Sequence, residues 1–237
     1  MSFRVVNLKF LLSFLLRMTA VVVMVSYSPV VAHASPAENN QAQISDSDKA
    51  LSYYAKGMTL FQQGDTLRAI EEFNRAIELN PNYVAAYLYR GRSYQSLKKY
   101  LEAIEDFNQV LRRNPNYASV YLDRGTVRTF LNDYPGAIED YNRVLQLDST
   151  NFYAYDFRGI AHRVLGNYQE SLKDLNQAIQ LAPDYAFAYY DRGITRRYLG
   201  DKSGALEDFQ KAAKLFQEQG DKQEYQNTLN EIKKLGQ

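Results

Sequence analysis

The chain contains no cysteine and only two histidines, His33 and His162. Without a thiol it can form neither a disulfide nor a cysteine-bound metal site, and it cannot carry a lipid anchor on cysteine. The single histidine beyond the N-terminal segment cannot complete a metal site by the usual ligand spacings. We therefore predict no metal and no cofactor, and we interpret His162 as a packing or groove residue.

Catalytic motifs are missing as well. The sequence has no G-x-S-x-G, G-x-x-x-x-G-K-[ST] or G-x-G-x-x-G stretch, so it lacks the signatures of a nucleophile elbow, a P-loop and a dinucleotide-binding turn. Its acidic residues recur at fixed places in a repeat, which prevents the assignment of a catalytic acid and base pair. We predict no catalytic residues and no enzyme activity, since an enzyme would need a site that the sequence does not show.

Neither sign of charge dominates the composition. The chain has 28 basic and 27 acidic residues. Residues 1–34 hold Arg4, Lys9 and Arg17 and no acid, so the remainder has 25 basic and 27 acidic residues and a formal charge of −2. This balance gives no reason to expect non-specific binding to nucleic acid.

The main positive feature is a recurrence of 34 residues over positions 50–219, without insertion or deletion. The fourth position is tyrosine in all five units: Tyr53, Tyr87, Tyr121, Tyr155 and Tyr189. The eighth is glycine: Gly57, Gly91, Gly125, Gly159 and Gly193. The twentieth is small and the twenty-fourth is large: Ala69, Ala103, Ala137, Ser171 and Ala205, then Phe73, Phe107, Tyr141, Leu175 and Phe209. Such a fixed period is typical of a solenoid, in which each unit buries its apolar face against its neighbours.

Each unit contains two helical patterns. In the second unit apolar residues recur with the spacing i, i+3, i+4 and i+7 from Tyr87 and again from Ala103, which is the stripe of an amphipathic helix. Turn signals such as Gly64-Asp65 separate the two patterns, and prolines such as Pro81 follow the second. The recurrent glycine is interpreted as the point where the two helices approach most closely.

These residues resemble the tetratricopeptide repeat family, whose pattern has aromatics at positions 4, 11 and 24, glycine at 8, alanine at 20 and 27, and proline at 32. The resemblance covers 170 of 237 residues and weakens at position 32, where Ser149 and Gln217 replace proline. It implies an all-α fold, a right-handed superhelical solenoid of five 34-residue helix-turn-helix repeats plus a C-terminal capping helix. The implied repeats are 50–83, 84–117, 118–151, 152–185 and 186–219, and the implied cap is 220–237.

The first 34 residues are interpreted as a signal peptide. A basic start precedes apolar runs at 10–16 and 18–25, and Ala32-His33-Ala34 is a small-x-small cleavage pattern. We expect cleavage near Ala34, export to a periplasm, a lumen or the extracellular space, and a flexible polar leader over 35–49. The alternative is an uncleaved helix over 10–31, interrupted by Arg17, which would make the chain a membrane-tethered structural or assembly factor.

The resemblance also implies a binding site. Family members bind partners in a concave groove lined mainly by positions 2, 5, 9 and 12 of the first helices, and position 2 of the first three units reads Leu51, Ala85 and Ser119. The main implied groove residues are Tyr54, Met58, Phe61, Leu88, Arg92, Gln95, Leu122, Thr126, Thr129, Tyr153, Asp156, Ile160, Arg163, Phe187, Tyr190, Ile194 and Arg197. Tyrosine and arginine are favoured in protein interfaces, so the expected partner is a peptide or an amphipathic helix of another protein.

The charges of this groove allow two interpretations. The lysines and asparagines with which some family members clamp a peptide carboxylate are absent, since Tyr54 and Met58 occupy the first two of their positions. The C-terminal half is the more basic: Arg128, Arg163, Arg196 and Arg197. These arginines either bind an acidic segment of a partner or pair locally with Asp123, Asp156 and Asp191.

A second set of charges also recurs. Position 7 is basic and position 23 is acidic: Lys56, Arg90, Arg124, Arg158 and Arg192, with Glu72, Asp106, Asp140, Asp174 and Asp208. We predict that each pair bridges the two helices of its unit; the alternative is a row of solvated charges on an outer face. Asparagine recurs at position 25 without an assigned partner: Asn74, Asn108, Asn142 and Asn176.

Overall fold

The computed structural model describes residues 45–236, and all regular secondary structure in this range is α-helical. Its eleven helices are α1 Asp46–Gln62, α2 Thr66–Leu79, α3 Val84–Ser96, α4 Tyr100–Arg113, α5 Ala118–Phe130, α6 Tyr134–Leu147, α7 Phe152–Val164, α8 Tyr168–Leu181, α9 Ala186–Tyr198, α10 Lys202–Glu218 and α11 Lys222–Leu235. Within residues 45–236, none of the helices has the length and apolar character that a membrane span needs. The predicted signal peptide and residues 35–44 of the predicted leader lie outside the described residues.

The helices pack in sequential pairs. We call α1, α3, α5, α7 and α9 the first helices and α2, α4, α6, α8 and α10 the second helices, because each first helix packs against the second helix that follows it. Each second helix except α10 also packs against the first helix of the next pair, and α10 packs against α11. The pairs therefore form a continuous helical solenoid, as the repeat pattern predicts.

The recurrent glycine lies where the two helices of a pair meet. A Cβ atom on Gly125 would lie 2.7 Å from Cε1 of Tyr141, and one on Gly57 would lie 2.7 Å from Cε1 of Phe73. All five residues at position 24 are fully buried: Phe73, Phe107, Tyr141, Leu175 and Phe209. The close approach predicted from the sequence is therefore confirmed, and its cause is a ring or branched side chain pressed onto a bare backbone.

The turns inside the pairs share one geometry. Gly64, Gly166 and Gly200 have φ near +80°, and Lys98 and Asn132 have φ of 60° and 61° at the equivalent places. This left-handed residue lets the backbone N–H that follows it reach back to the preceding helix, as in the 2.9 Å bond that the Asp65 N–H donates to the Leu60 carbonyl. Lys98 takes the conformation without being glycine or asparagine, which explains why sequence signals mark the other four turns and not this one.

In four of the five pairs the arginine at position 7 joins the first helix to the second helix and to the preceding pair. We call these bonds the arginine ladder. Arg124 donates from Nε and Nη2 to the two carboxylate oxygens of Asp140, at 3.0 and 2.6 Å, and from Nη1 to the side-chain oxygen of Asn108 in the preceding pair. The same three bonds recur around Arg90, Arg158 and Arg192. In the first unit Lys56 donates to Glu72 at 2.8 Å. The predicted bridge within each unit is therefore confirmed, and the recurrent asparagine is explained as the acceptor that links one unit to the next.

The ladder is not a row of solvated charges. The side chains of Asp106, Asp140, Asp174 and Asp208 expose only 2–5% of their surface. Each arginine also lies over the tyrosine at position 4 of its own helix, with the guanidinium carbon 5.4–5.6 Å from the ring centroid. The recurrent tyrosine is therefore a cation–π platform that holds the guanidinium flat against the helix.

The sequence predicts the position of the last helix more accurately than the start of the first helix. Helix α1 begins at Asp46, inside the range predicted as leader, because Ser45 caps it: its hydroxyl accepts a hydrogen bond from the Asp48 N–H at 3.1 Å. Helix α11 spans Lys222–Leu235, the range of the last helical pattern. Its Tyr225, Leu229 and Ile232 are half-buried, which gives it the amphipathic face expected of a terminal helix.

Candidate partner-binding groove

The first helices form a layer of their own. Neighbouring first helices contact one another directly from α1 to α9, whereas no contact of that extent joins neighbouring second helices in the described part of the chain. The row of pairs is therefore narrower on the side of the first helices, and this is where we expect the concave surface. The residues predicted to line a groove all lie on this layer.

The seventeen predicted groove residues divide by burial. Eight are buried among the helices: Met58, Leu88, Leu122, Thr126, Thr129, Asp156, Ile160 and Arg163. Nine are half-buried, and we call them the groove surface: Tyr54, Phe61, Arg92, Gln95, Tyr153, Phe187, Tyr190, Ile194 and Arg197. Only the groove surface can touch a partner without rearrangement, so the buried set supports it from behind.

Aromatic rings are concentrated at the two ends of this surface. At the N-terminal end the ring centroid of Tyr54 lies 5.0 Å from that of Tyr83 and 6.1 Å from that of Tyr89. At the C-terminal end the ring of Tyr185 lies 5.4 Å from Tyr153 and 5.8 Å from Phe187. These tilted and edge-to-face packings fix the rings in place, which lowers the entropy that the rings themselves would lose when a partner binds.

Two of these rings were not predicted as groove residues. Tyr83 and Tyr185 stand at position 34, just before a first helix begins, and the Tyr185 hydroxyl donates to Asp156 at 3.1 Å. The sequence carries a signal for them, because position 34 is tyrosine in three of the first four units and asparagine in the other, at Asn151. Position 34 is not among the positions 2, 5, 9 and 12 that the family pattern assigns to the groove.

Small side chains lie between the aromatic ends. Ala85 and Ser119 occupy position 2 of the second and third units, where Tyr153 and Phe187 stand later in the chain, and both are half-buried. The hydroxyls of Thr126 and Thr129 point back to carbonyls of their own helix, at 2.8 and 3.0 Å. Apart from Gln95 and the paired Arg92, the middle of the layer therefore offers space rather than protruding polar groups.

The arginines of the layer are paired inside the chain. Arg92 donates to Asp123 at 2.8 Å and Arg163 donates to Asp191 at 3.0 Å, each across to the next first helix. Arg197 pairs with Glu231 of α11. The arginines of the C-terminal half were expected either to bind an acidic segment of a partner or to pair locally. For Arg163 and Arg197 the structure shows local pairing.

The arginines at position 11 face away from the groove. Arg128 donates to the Gly136 carbonyl at 2.9 Å and pairs with Asp140 at 3.0 Å, both in its own second helix. Arg196 repeats this with Gly204 and Asp208, both at 3.0 Å. These two side chains brace their own pair, and an acidic peptide would have to displace an internal carboxylate to reach them.

Burial shifts the pKa values of several groups on the layer. It raises the pKa of the Asp123 carboxyl, and the Arg92 guanidinium offsets part of that rise. Burial also raises the pKa of Tyr153 and lowers the pKa of His162, the latter against an opposing effect of Asp174. His162 is consequently neutral at neutral pH, as a packing side chain would be. Among residues 45–236, no group of three or more histidines and carboxylates is placed to hold a metal ion.

Comparison with known proteins agrees with this geometry. Family models described as tetratricopeptide repeats match residues 54–118, 90–152 and 152–185. The uncharacterized protein MJ0572 of Methanocaldococcus jannaschii is 44% identical over 52 residues, which are 22% of this chain and 60% of that protein. The present chain thus matches less than two thirds of that relative.

Solved structures extend the likeness to most of the solenoid. MamA residues 41-end from Desulfovibrio magneticus RS-1 superpose with a TM-score of 0.70 at 21% identity, over 73% of this chain and 97% of that one. YrrB, described as a TPR protein with an unusual peptide-binding site, superposes with a TM-score of 0.66 at 24% identity, over 78% of this chain and 92% of that one. Likeness at this identity establishes the fold.

Proposed function

The chain belongs to the tetratricopeptide repeat family, and from this premise we propose that it is an interaction scaffold that binds a peptide or helical segment of another protein in the groove of its first helices. The observation that carries the proposal is the groove surface itself, with fixed aromatic rings at both ends and small side chains between them. An apolar face of this kind fits the apolar stripe of an amphipathic helix or an extended peptide. YrrB, which shares the fold, supports the proposal through its described peptide-binding site.

The internal ion pairs define the chemistry of the partner. Since Arg92, Arg163 and Arg197 already have carboxylate partners, the groove offers apolar area and neutral hydrogen-bonding groups in preference to free positive charge. The expected partner segment is apolar, with its own charges outside the contact. Binding should then depend weakly on salt, because few charges are neutralised in the complex.

A cross-linking capture from extracts of the source cells tests the proposal. The bait is compared with a Ser119→Glu variant, which places a charge in the middle of the groove on the first turn of α5, where an acidic residue suits the helix. The matched control is Ser149→Glu on the exposed connection between pairs. We expect a protein that is captured by the parent and the control and lost by Ser119→Glu. Equal capture of that protein by all three baits would show that the groove does not bind it.

We also propose that the chain acts outside the cytosol, after cleavage near Ala34. The support is the order of basic start, apolar run and small-x-small pattern in residues 1–34. N-terminal sequencing of the protein isolated from its own cells tests this. A mature chain starting near Ser35 supports export, and an intact N-terminus recovered with membranes would instead favour the tethered factor.

A further inference from the structure

Exposed apolar side chains gather at one edge of the solenoid. Eight large apolar side chains are exposed in residues 45–236, and seven of them lie where the first and second helix of a pair join. We call this the turn edge, which consists of positions 13–19 of each unit: residues 62–68, 96–102, 130–136, 164–170 and 198–204. The opposite edge, formed by the connections 80–82, 114–116, 148–150 and 182–184, exposes no large apolar side chain in the described structure.

Leucines account for most of the exposed area. Leu67 and Leu101, in the first turns of α2 and α4, expose 63% and 67% of their surface, and Leu131, Leu165 and Leu199 at the ends of first helices expose 38–43%. With Val164 and Tyr198 they present on the order of 600 Å² of apolar surface, at the upper end of the ~300–600 Å² typical of the largest patch on a monomer. Apolar patches of this size are often functional.

Ring stacking joins neighbouring units at this edge in two places. Tyr100 stacks on Phe130 with ring centroids 5.2 Å apart and planes 4° apart, and Tyr168 stacks on Tyr198 at 5.3 Å and 7°. Each stack joins a second helix to the first helix of the following pair at this edge. We call the row of exposed apolar side chains along this edge the strip; the two stacks join its second and third units, and its fourth and fifth units.

The charges beside the strip are arranged in a self-complementary way. At the turn of the second pair Lys98, Lys99 and Glu102 give a net charge of +1, and at the turn of the fourth pair Glu170 gives −1; all four side chains are exposed. At the turn of the third pair Asp133 is paired with Arg128 at 3.7 Å. None of the ion pairs found in the described chain uses Lys98, Lys99 or Glu170. A two-fold axis at the third pair would set the second turn of one copy against the fourth turn of the other, twice.

We propose that the turn edge binds the turn edge of a second copy of this chain, in a two-fold antiparallel dimer. Leu131 lies next to the axis, Leu101 of one copy meets Leu165 of the other, and Leu67 meets Leu199. The most exposed leucines of each copy are thereby covered by less exposed leucines of its partner. The apolar area per copy approaches the roughly 800 Å² per partner of a standard interface once flanking atoms are included. Only the last residues of the first helices belong to the turn edge, so each dimer leaves two grooves open.

Sedimentation equilibrium of the full chain, purified as its cells process it, tests the dimer. Leu101→Glu puts a charge into the strip twice per dimer, and we expect the dissociation constant to rise at least about tenfold. Leu51→Glu is the matched control, because Leu51 is 55% exposed on α1 and lies off the turn edge. It should leave the dimer unchanged, and at concentrations where the parent is monomeric both variants should keep its melting temperature.

A charge exchange tests the two-fold arrangement independently of the leucines. Lys98→Glu and Glu170→Lys should each weaken the dimer, and the double variant should restore it, because the two positions face each other across the axis. A parent that stays monomeric at tens of micromolar, or a dimer as sensitive to Leu51→Glu as to Leu101→Glu, would overturn the proposal. Binding to lipid vesicles that Leu101→Glu abolishes in a monomeric parent would assign the edge to a membrane instead.

Discussion

At the scale of single residues, the glycine at position 8 sets how closely two helices can pack. The ring of Tyr141 lies where the Cβ of any other residue at position 125 would stand. Since Tyr141 is fully buried and bonds Thr129 at 3.1 Å through its hydroxyl, it cannot swing aside cheaply. The repeated glycine thus has a steric cause in every unit, although helix propensity alone disfavours it.

We expect Gly125→Ala to lower the free energy of unfolding by about 1–3 kcal/mol, because overpacking at the Tyr141 ring outweighs the gain in helix propensity. Gly236→Ala is the control, since its Cβ would meet nothing closer than 3.8 Å. Urea unfolding followed by circular dichroism measures both. Equal midpoints for Gly125→Ala and the parent would show that the helices can separate without cost.

His162 gives the fold a dependence on pH. Burial holds its pKa in the folded state below the value of the unfolded chain, so the unfolded state binds more protons as the pH falls through about 6.5. Stability should therefore fall with decreasing pH in that range. We expect the melting temperature of His162→Tyr, which copies Tyr94 of the second unit, to fall less than that of the parent between pH 7.5 and 5.5. Parallel curves would contradict the shift.

At the scale of helices and pairs, the arginine ladder is the main polar connection. It binds the first helix to the second through a bidentate pair and each pair to the preceding one through asparagine. The third unit adds a second arginine, since Arg128 also pairs with Asp140. In the fourth unit the equivalent residue is His162, and within the described residues Asp174 pairs with Arg158 alone.

This difference predicts unequal costs for one substitution. Arg158→Met leaves Asp174 buried without its arginine and should cost about 3–5 kcal/mol. Arg124→Met should cost less, because Arg128 continues to neutralise Asp140. The combined Arg124→Met and Arg128→Met variant should approach the cost of Arg158→Met. Thermal and urea unfolding of the three variants decide this, and equal losses for the two single variants would mean that Arg128 contributes nothing.

Exchanging the charges of this pair is a poor test of the bridge. If Arg124 and Asp140 formed an isolated pair, reversing both charges together would restore stability. In the structure an arginine at position 140 would face Arg128, which lies 3.0 Å from the present carboxylate. The reversed pair would therefore place two cations together. This conflict is visible only in the structure, where Arg128 contacts Asp140.

At the scale of the whole molecule, a solenoid must close its last apolar face. Helix α11 does so by packing on α10, with Tyr225 against the buried cluster that contains Leu215 and Phe216. Its Glu231 also takes Arg197 as an ion partner. This helix occupies the place of a first helix in a further unit and has no second helix after it in the described chain.

Removing residues 221–237 should expose Phe216 and leave Arg197 without Glu231. We expect a loss of about 2–5 kcal/mol in the free energy of unfolding and new binding of a dye specific for apolar surface. Removing only residues 236 and 237 is the control and should change neither quantity. An unaltered melting curve for the longer deletion would show that α11 is an accessory to the solenoid and not its closure.

The sequence by itself determined the period, the two helices per unit, the terminal helix and the core positions, because burial and helix geometry impose the same spacing on every unit. The sequence also predicted that the charges at positions 7 and 23 meet, and only the tertiary structure decided the other polar pairs. In the structure the asparagines at position 25 accept hydrogen bonds from arginines of the next unit, as Asn108 does from Arg124. Arg128 and Arg196 bond within their own pairs, and Arg92 bonds Asp123 across neighbouring first helices. The physical reason is that helical spacing fixes the face on which a side chain lies, whereas the partner of a long charged side chain depends on the distance and angle between packed helices.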